Sequence, residues 1–271
     1  MLVLLALACT KAPADDSSSA ADDSSSTAGP EVTLELSQYG ILDSALSADA
    51  QTIYFVDSVR LAQIDGASFT EIAAIDDATS LAVDGDTIYV ADGKQVLAVS
   101  LTDGSSSVVP GSEDTGALAV EYNGKLLVGG SYGSLGAVFS MNGNVTTVLT
   151  DALPVPPTGV CGGADGTVYA AAGDSVYAVS GGEATAIATG VHLGEPAGLA
   201  LTPDDSTLMV SSISDAGTAQ VLLINLSDNS TSIFDDVISA NHESGGLHRA
   251  KDVPTDYAWA DRTAGVYRVG F

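Results

Sequence analysis

The sequence predicts an all-β chain folded as a six-bladed β-propeller with four-stranded blades, the N-terminal strand closing the last blade. Three observations carry that expectation. A motif recurs at intervals of about 40 residues, the measure of a propeller blade. Short apolar runs alternate with turn residues, and no segment sustains a 3.6-residue period, so helix is nearly absent. The last repeat also ends one strand short, while a spare strand stands ahead of the first.

In each repeat a small residue precedes an aliphatic anchor, then come a turn and two apolar strands. The anchors read Leu46, Leu81, Leu118, Val160, Leu199 and Leu247. The second strands read Ile53–Val56, Ile88–Ala91, Leu126–Gly129, Val168–Ala171, Leu208–Ser211 and Tyr257–Ala260. The third strands read Leu61–Ile64, Val96–Val99, Val138–Met141, Val176–Val179, Val221–Ile224 and Val266–Val269. Runs of this length, rich in β-branched and aromatic residues, are strands. Asp84-Gly85, Asp103-Gly104, Asn142-Gly143 and Asp165-Gly166 supply the positive φ that tight hairpins need. A weaker fourth strand follows in five repeats: Phe69–Ala74, Val108–Val109, Val145–Leu149, Ala184–Ala188 and Ser232–Phe234. The sixth repeat stops at Phe271 after its third strand. Val32–Leu36, alternating apolar and polar, is expected to pair there as the missing outer strand and so remove an open edge.

The run Ile88-Tyr-Val-Ala-Asp92, the run Gly198-Leu-Ala-Leu-Thr-Pro-Asp-Asp205 and the Val-Tyr-x-Val strands at Val176 and Val266 resemble NHL, YVTN and gluconolactonase-type (senescence-marker-protein-like) propellers. The resemblance covers residues 31–271 and implies the fold. Its gluconolactonase branch further implies a divalent metal in the central channel that activates lactone hydrolysis. The chain has no Glu-Gly-Pro-x-Trp opening and no Asn at the ends of its second strands.

Residues 1–9 read as a signal segment. Met1–Ala8 is apolar and uncharged, too short for the ~20 residues a membrane-spanning helix needs, and small Ala8 before Cys9 resembles a bacterial lipobox. Cys9 is the expected lipidation site, which places the protein in the bacterial cell envelope, on the outer membrane or cell surface. A chance cysteine in a secretory signal is the alternative. Residues 10–30 carry the imperfect repeat ADDSSS and no large apolar side chain, as expected of a disordered tether. Acylation of Cys9 leaves Cys161 without a disulfide partner, a small buried hydrophobe rather than a nucleophile.

The chain carries 35 Asp and Glu against 8 Lys and Arg, a net charge of −27. That balance argues against nucleic acid as a partner, since phosphate binding needs clustered cations. At 45% hydrophobic residues the chain can still bury a core, and a monomer is expected. Four places before the anchors stand Leu42, Asp77, Asp114, Pro156, Glu195 and Glu243. The second strands close on Asp57, Asp92, Gly130, Ala172, Ser212 and Asp261. Carboxylates converging on one channel mouth suit a hard divalent cation such as calcium, whereas Asp in turns also serves local hydrogen bonding. His192 and His242, near Glu195 and Glu243, make a candidate metal or general-base cluster, and His248 follows an anchor directly. Arg249, Lys251, Arg262 and Arg268 gather in the last repeat, either neutralising nearby acids or forming a patch for an anionic ligand. Two functions follow as expectations: an envelope lipoprotein whose propeller binds a protein, glycan or small molecule, or a metal-dependent lactonase or other hydrolase at the channel mouth.

Overall fold

A computed structural model describes residues 31–234 and 243–271 of the chain. Among them are 24 strands and no helix, arranged as six four-stranded antiparallel sheets around an axis. The fold is a six-bladed β-propeller. Its innermost strands are Asp43–Leu46, Ser80–Asp84, Ala119–Tyr122, Gly159–Gly162, Leu199–Leu201 and Ser244–Arg249. Each blade then steps outward through consecutive hairpins, so the inner strands all begin on one face (the entry face) and end on the other (the exit face).

Ring closure follows the sequence pattern. Glu31–Leu36 pairs antiparallel with the chain's last strand, Gly265–Gly270, with Val32 opposite Val269 and Leu34 opposite Tyr267. Leu36 is buried with Ile41, Phe55 and Val266, so the closing strand also joins the core between blades six and one. Arg268 strengthens the seam: its Nε donates to Glu35 at 3.0 Å, and its Nη1 to Asp256 and to the carbonyl of Ala50.

Between neighbouring blades the two apolar sheet faces pack as separate clusters. Ala45, Tyr54, Val56, Leu81, Ile88 and Val90 form one of them, between blades one and two. Strands buried on both faces need an unbroken apolar run, and Ile53–Val56 and Val168–Ala171 are such runs.

Two anchors sit two residues away from where the motif places them. The residue opposite the third position of the second strand is Leu81 (to Val90), Val160 (to Ala170), Leu199 (to Val210) and Leu247 (to Trp259). In blades one and three the equivalents are Ser44, opposite Phe55, and Val120, opposite Val128, rather than Leu46 and Leu118. Leu46 and Leu118 share a strand face with the true positions, because side chains alternate with a period of two. The first five repeats then run at the even spacing of 37, 39, 40 and 39 residues.

A chain beginning at residue 37 is expected to expose the edge of Gly265–Gly270 and lose the Leu36 packing. The loss should reach at least ~2–4 kcal/mol with a tendency to self-associate. Urea denaturation and size-exclusion chromatography would measure both.

Candidate functional site

Every second residue of an inner strand faces the axis. At the first such level stand Asp43, Ser80, Ala119, Gly159, Gly198 and Gly246, all small except Asp43. At the second level, nearer the exit face, stand Ala45, Ala82, Glu121, Cys161, Ala200 and His248, and all six line one cavity of about 230 Å³. Three alanines leave the space; a carboxyl, a thiol and an imidazole furnish it.

Asp43 is the hub of the first level. Its Oδ1 accepts from the Ser44 amide at 2.8 Å. Its Oδ2 accepts from the Ser80 hydroxyl at 2.8 Å and the Leu81 amide at 3.0 Å, and lies 3.0 Å from Nε2 of His248. The carboxylate thus ties blade one to blades two and six while fully buried. Gly246 makes room for it, since a β-carbon there would collide with the Asp43 carboxylate. Ser80 passes the connection on by accepting from the Val120 amide at 3.2 Å. Glu121 then joins blade three to four by accepting from the Gly162 amide at 2.6 Å. The Thr158 carbonyl accepts from the Ala197 amide between blades four and five. Arg249 and Tyr257 of blade six both donate to the Leu201 carbonyl of blade five. Each of the six junctions carries a polar link.

Burial pushes the Glu121 carboxyl up to about 7, against the opposing pull of the Gly162 amide, His248, the Cys161 thiol and Arg249. Burial alone would lower His248, but the adjacent Asp43 charge and hydrogen bond, with Glu121 beyond, raise it. Burial also pushes the Cys161 thiol well up, as does the neighbouring Glu121, so its thiolate is suppressed. At the outer wall Arg249 pairs with Asp205 at 2.9 Å. Lys251 lies 3.7 Å from Asp84, with its ammonium over the Tyr122 ring. Tyr122 in turn stacks on Tyr89.

The residues singled out in the sequence fall elsewhere. Asp57, Asp92 and Asp261 close the second strands on the entry face, and each is engaged by its own hairpin. Asp57 accepts from the amides of Val59 and Arg60 and pairs with the Arg60 guanidinium at 2.8 Å. Asp92 accepts from the amides of Lys94 and Gln95 and from the Gln95 side chain. Asp261 accepts from Thr263 and Ala264. Asp77 sits at φ 59° in the blade-one-to-two connection, a left-handed position that Asp tolerates. Asp114 is exposed. Among the described residues no three His, Cys, Asp or Glu side chains come close enough to hold a metal ion. The Asp57 and Asp92 carboxylates instead each serve the turn that follows them.

Arg262 links the Glu243 carboxylate to the backbone of Glu195. Its Nη1 lies 3.1 Å from Glu243 Oε2 and donates to the Glu195 carbonyl. His192 is exposed, 3.9 Å from Asp215, and His242 and Cys9 lie outside the described residues. His192 lies in the entry-face loop before the inner strand of blade five, and His248 near the exit-face end of the inner strand of blade six. The four basic residues of the last blade disperse: Arg249 and Lys251 to the exit face, Arg262 to the entry face, Arg268 to the seam, each against an acid.

Removing the Asp43 carboxylate strands several buried donors, so Asp43→Ala should cost roughly 3–5 kcal/mol and Asp43→Asn less, read by chemical denaturation. Glu121 binds its proton more tightly folded than unfolded. Its contribution is therefore fully present below its ordinary 4.5 and lost as pH rises to about 7. Glu121→Gln should flatten the fall in stability across that window by roughly 1–3 kcal/mol, measured by denaturation at a series of pH values.

No family model matches the sequence, and no curated protein matches it closely. Solved structures do share the fold. Virginiamycin B lyase from Staphylococcus aureus is 10% identical over 89% of this chain and 99% of its own, with a TM-score of 0.57. YCF48 bound to D1 peptide is 11% identical over 89% and 97%, with a TM-score of 0.56. A chain of the nidogen–laminin complex is 17% identical over 78% and 85%, with a TM-score of 0.58. At these identities the likeness establishes the propeller fold and nothing finer.

Proposed function

We propose that the protein is a ligand-binding propeller held at the bacterial cell envelope by lipid on Cys9, and that its exit-face hollow takes a small, uncharged polar molecule the size of a monosaccharide. One observation carries the reading: the six equivalent axial positions line a cavity of about 230 Å³, where three alanines leave room and Glu121 faces His248 across the axis with Cys161 beside it. Asp43 and its partner His248 serve the ring itself, but Glu121 makes a single interblade hydrogen bond and faces open space, a costly placement for a carboxyl that has only a structural role.

The size is below the ~300–1,000 Å³ of sites for drug-sized ligands. The electrostatics favour a neutral guest. His248, Arg249 and Lys251 are each matched by an aspartate, and Glu121 holds its proton up to about neutral pH. What remains at the wall is hydrogen-bonding capacity from Glu121, Asn123 and Lys251 beside the Tyr122 ring, which suits hydroxyl groups on an apolar ring face. A second reading, hydrolysis in the same hollow, is favoured by Glu121, since a carboxyl that titrates near neutrality suits general acid–base work.

Calorimetry against neutral monosaccharides, sugar acids and amino sugars would decide. A neutral compound should bind, with Asn123→Ala and Lys251→Met each weakening it about tenfold, equivalent to ~1.4 kcal/mol. Binding by none of the neutral compounds, or equal binding by both variants, overturns the assignment; turnover of a bound compound would favour the hydrolase. In a bacterial host, labelled palmitate should enter the chain and Cys9→Ser should release it into the soluble fraction.

A further inference from the structure

The entry face presents a second surface that the axial hollow does not use. In blade three the turn between the second and third strands carries Tyr132 and Leu135, which are cross-strand partners and are 57% and 47% exposed. Beside it runs Pro154-Val155-Pro156-Pro157, the connection into blade four, with Val155 41% exposed. These pieces are contiguous. A β-carbon on Gly136, the residue after Leu135, would strike the Val155 carbonyl, and one on Gly173, in the equivalent turn of blade four, would touch the Val155 side chain at 3.5 Å. Three exposed apolar side chains on neighbouring loops depart from the scattered single residues of an ordinary surface.

The patch is also held ready. Proline fixes φ and offers no amide hydrogen, so three prolines around Val155 leave little conformational freedom to lose on association. Next to the hairpin, the Thr115 carbonyl accepts from the Ser131 amide at 2.7 Å, fixing the connection that carries Glu113 and Asp114 against it.

Charge selects the occupant. Exposed Glu113, Asp114, Asp151 and Asp174 lie in the loops and strand end that border the patch. No Lys or Arg occurs anywhere between Lys125 and Arg249, and Lys125 belongs to a turn on the opposite face. On this face blade two adds one cation, Lys94, in the hairpin whose Gly93 amide donates to the Ala117 carbonyl, so four carboxylates border the patch against a single lysine. A second copy of the chain would bring acid against acid, which is repulsive.

We propose that the Tyr132–Leu135–Val155 surface docks a basic polypeptide segment, one that sets an apolar side chain on the patch and lysines or arginines against the surrounding carboxylates. Such contacts pair a small apolar anchor with a charged rim that steers the approach. The site is independent of the axial hollow and of what binds there.

The test uses two fluorescent nonapeptides, one alternating lysine and leucine around a central tryptophan, the other with glutamate in place of lysine. Anisotropy titrations would be run against the full chain. The lysine peptide should bind with a Kd below about 1 mM. Tyr132→Ser and Leu135→Ser, both on exposed loops, should weaken it at least fivefold, and Glu113→Gln with Asp114→Asn should weaken it and shrink its salt dependence. Glu121→Gln should leave it unchanged. Equal binding of the glutamate peptide, indifference to the patch variants, or absence of binding would overturn the proposal. So would a dimer in solution that Leu135→Ser converts to monomer, because the occupant would then be a second copy.

Discussion

A propeller is stable only while its ring stays shut, and here the ring shuts by one strand pairing. Residues 31–36 come from one end of the described chain, and Gly265–Gly270 from the other. Without that ladder blade six is a three-stranded sheet with a bare edge, and its packing on blade one loses the Leu36 contribution. The same junction is fastened a second time at the axis, where Asp43 of blade one meets His248 of blade six. Outer ladder and inner hydrogen bond act on the same two blades, so opening the ring must break both. Arg268 bridges the levels by reaching from the seam to the Ala50 carbonyl of blade one.

The axis shows how a small core can admit charge. A buried carboxylate is tolerated when its lone pairs are answered, and Asp43 receives two amides, a hydroxyl and an imidazole. The five other positions at its level are Ser, Ala or Gly, so the carboxylate has room without displacing a neighbouring blade. Glu121, one level down and two blades round, accepts one backbone amide, from Gly162, with the Cys161 thiol beside it and His248 and Arg249 acting through charge, and burial still holds its proton up to about neutral pH. Asp43, fully buried, is paired and structural, and Glu121 is half-buried at the cavity wall. The latter is under-answered, which is why a binding role is assigned to its side of the channel.

The repeat period, the four-strand blade and the closing strand were legible because each rests on local pattern: turn glycines, apolar runs, and a strand without a partner. Gly85, Gly104, Gly143 and Gly166 all take the positive φ that their Asp-Gly and Asn-Gly turns imply. The axial residues were not legible. Choosing Leu46 and Leu118 as anchors shifted blades one and three by two residues, which moved Asp43 and Glu121 out of the columns where they align with Ser80 and Cys161. With the corrected frame the acidic column before the inner strands reads Gly40, Asp77, Gly116, Pro156, Glu195 and Glu243, and holds one carboxylate fewer. The signal that could have found the hub was the series Asp43, Ser80, Ala119, Gly159, Gly198, Gly246, where one large polar residue stands among small ones. The turn carboxylates Asp57, Asp92 and Asp261 recur for a different reason: each caps the hairpin it begins, and every blade needs a hairpin there.

The two proposed surfaces occupy opposite faces, and the entry of the chain into the fold gives them a direction. Glu31 lies opposite Gly270, at the exit-face end of the seam, because the outer strand runs from that face toward the other. Glu31 therefore lies on the rim of the axial hollow, whereas the Tyr132–Leu135–Val155 surface sits on the opposite face. Occupation of one surface does not obstruct the other, and among the described residues the ring between them carries no hinge that would couple them. The two proposed binding events should accordingly be independent, a consequence of inner strands that begin on one face and end on the other.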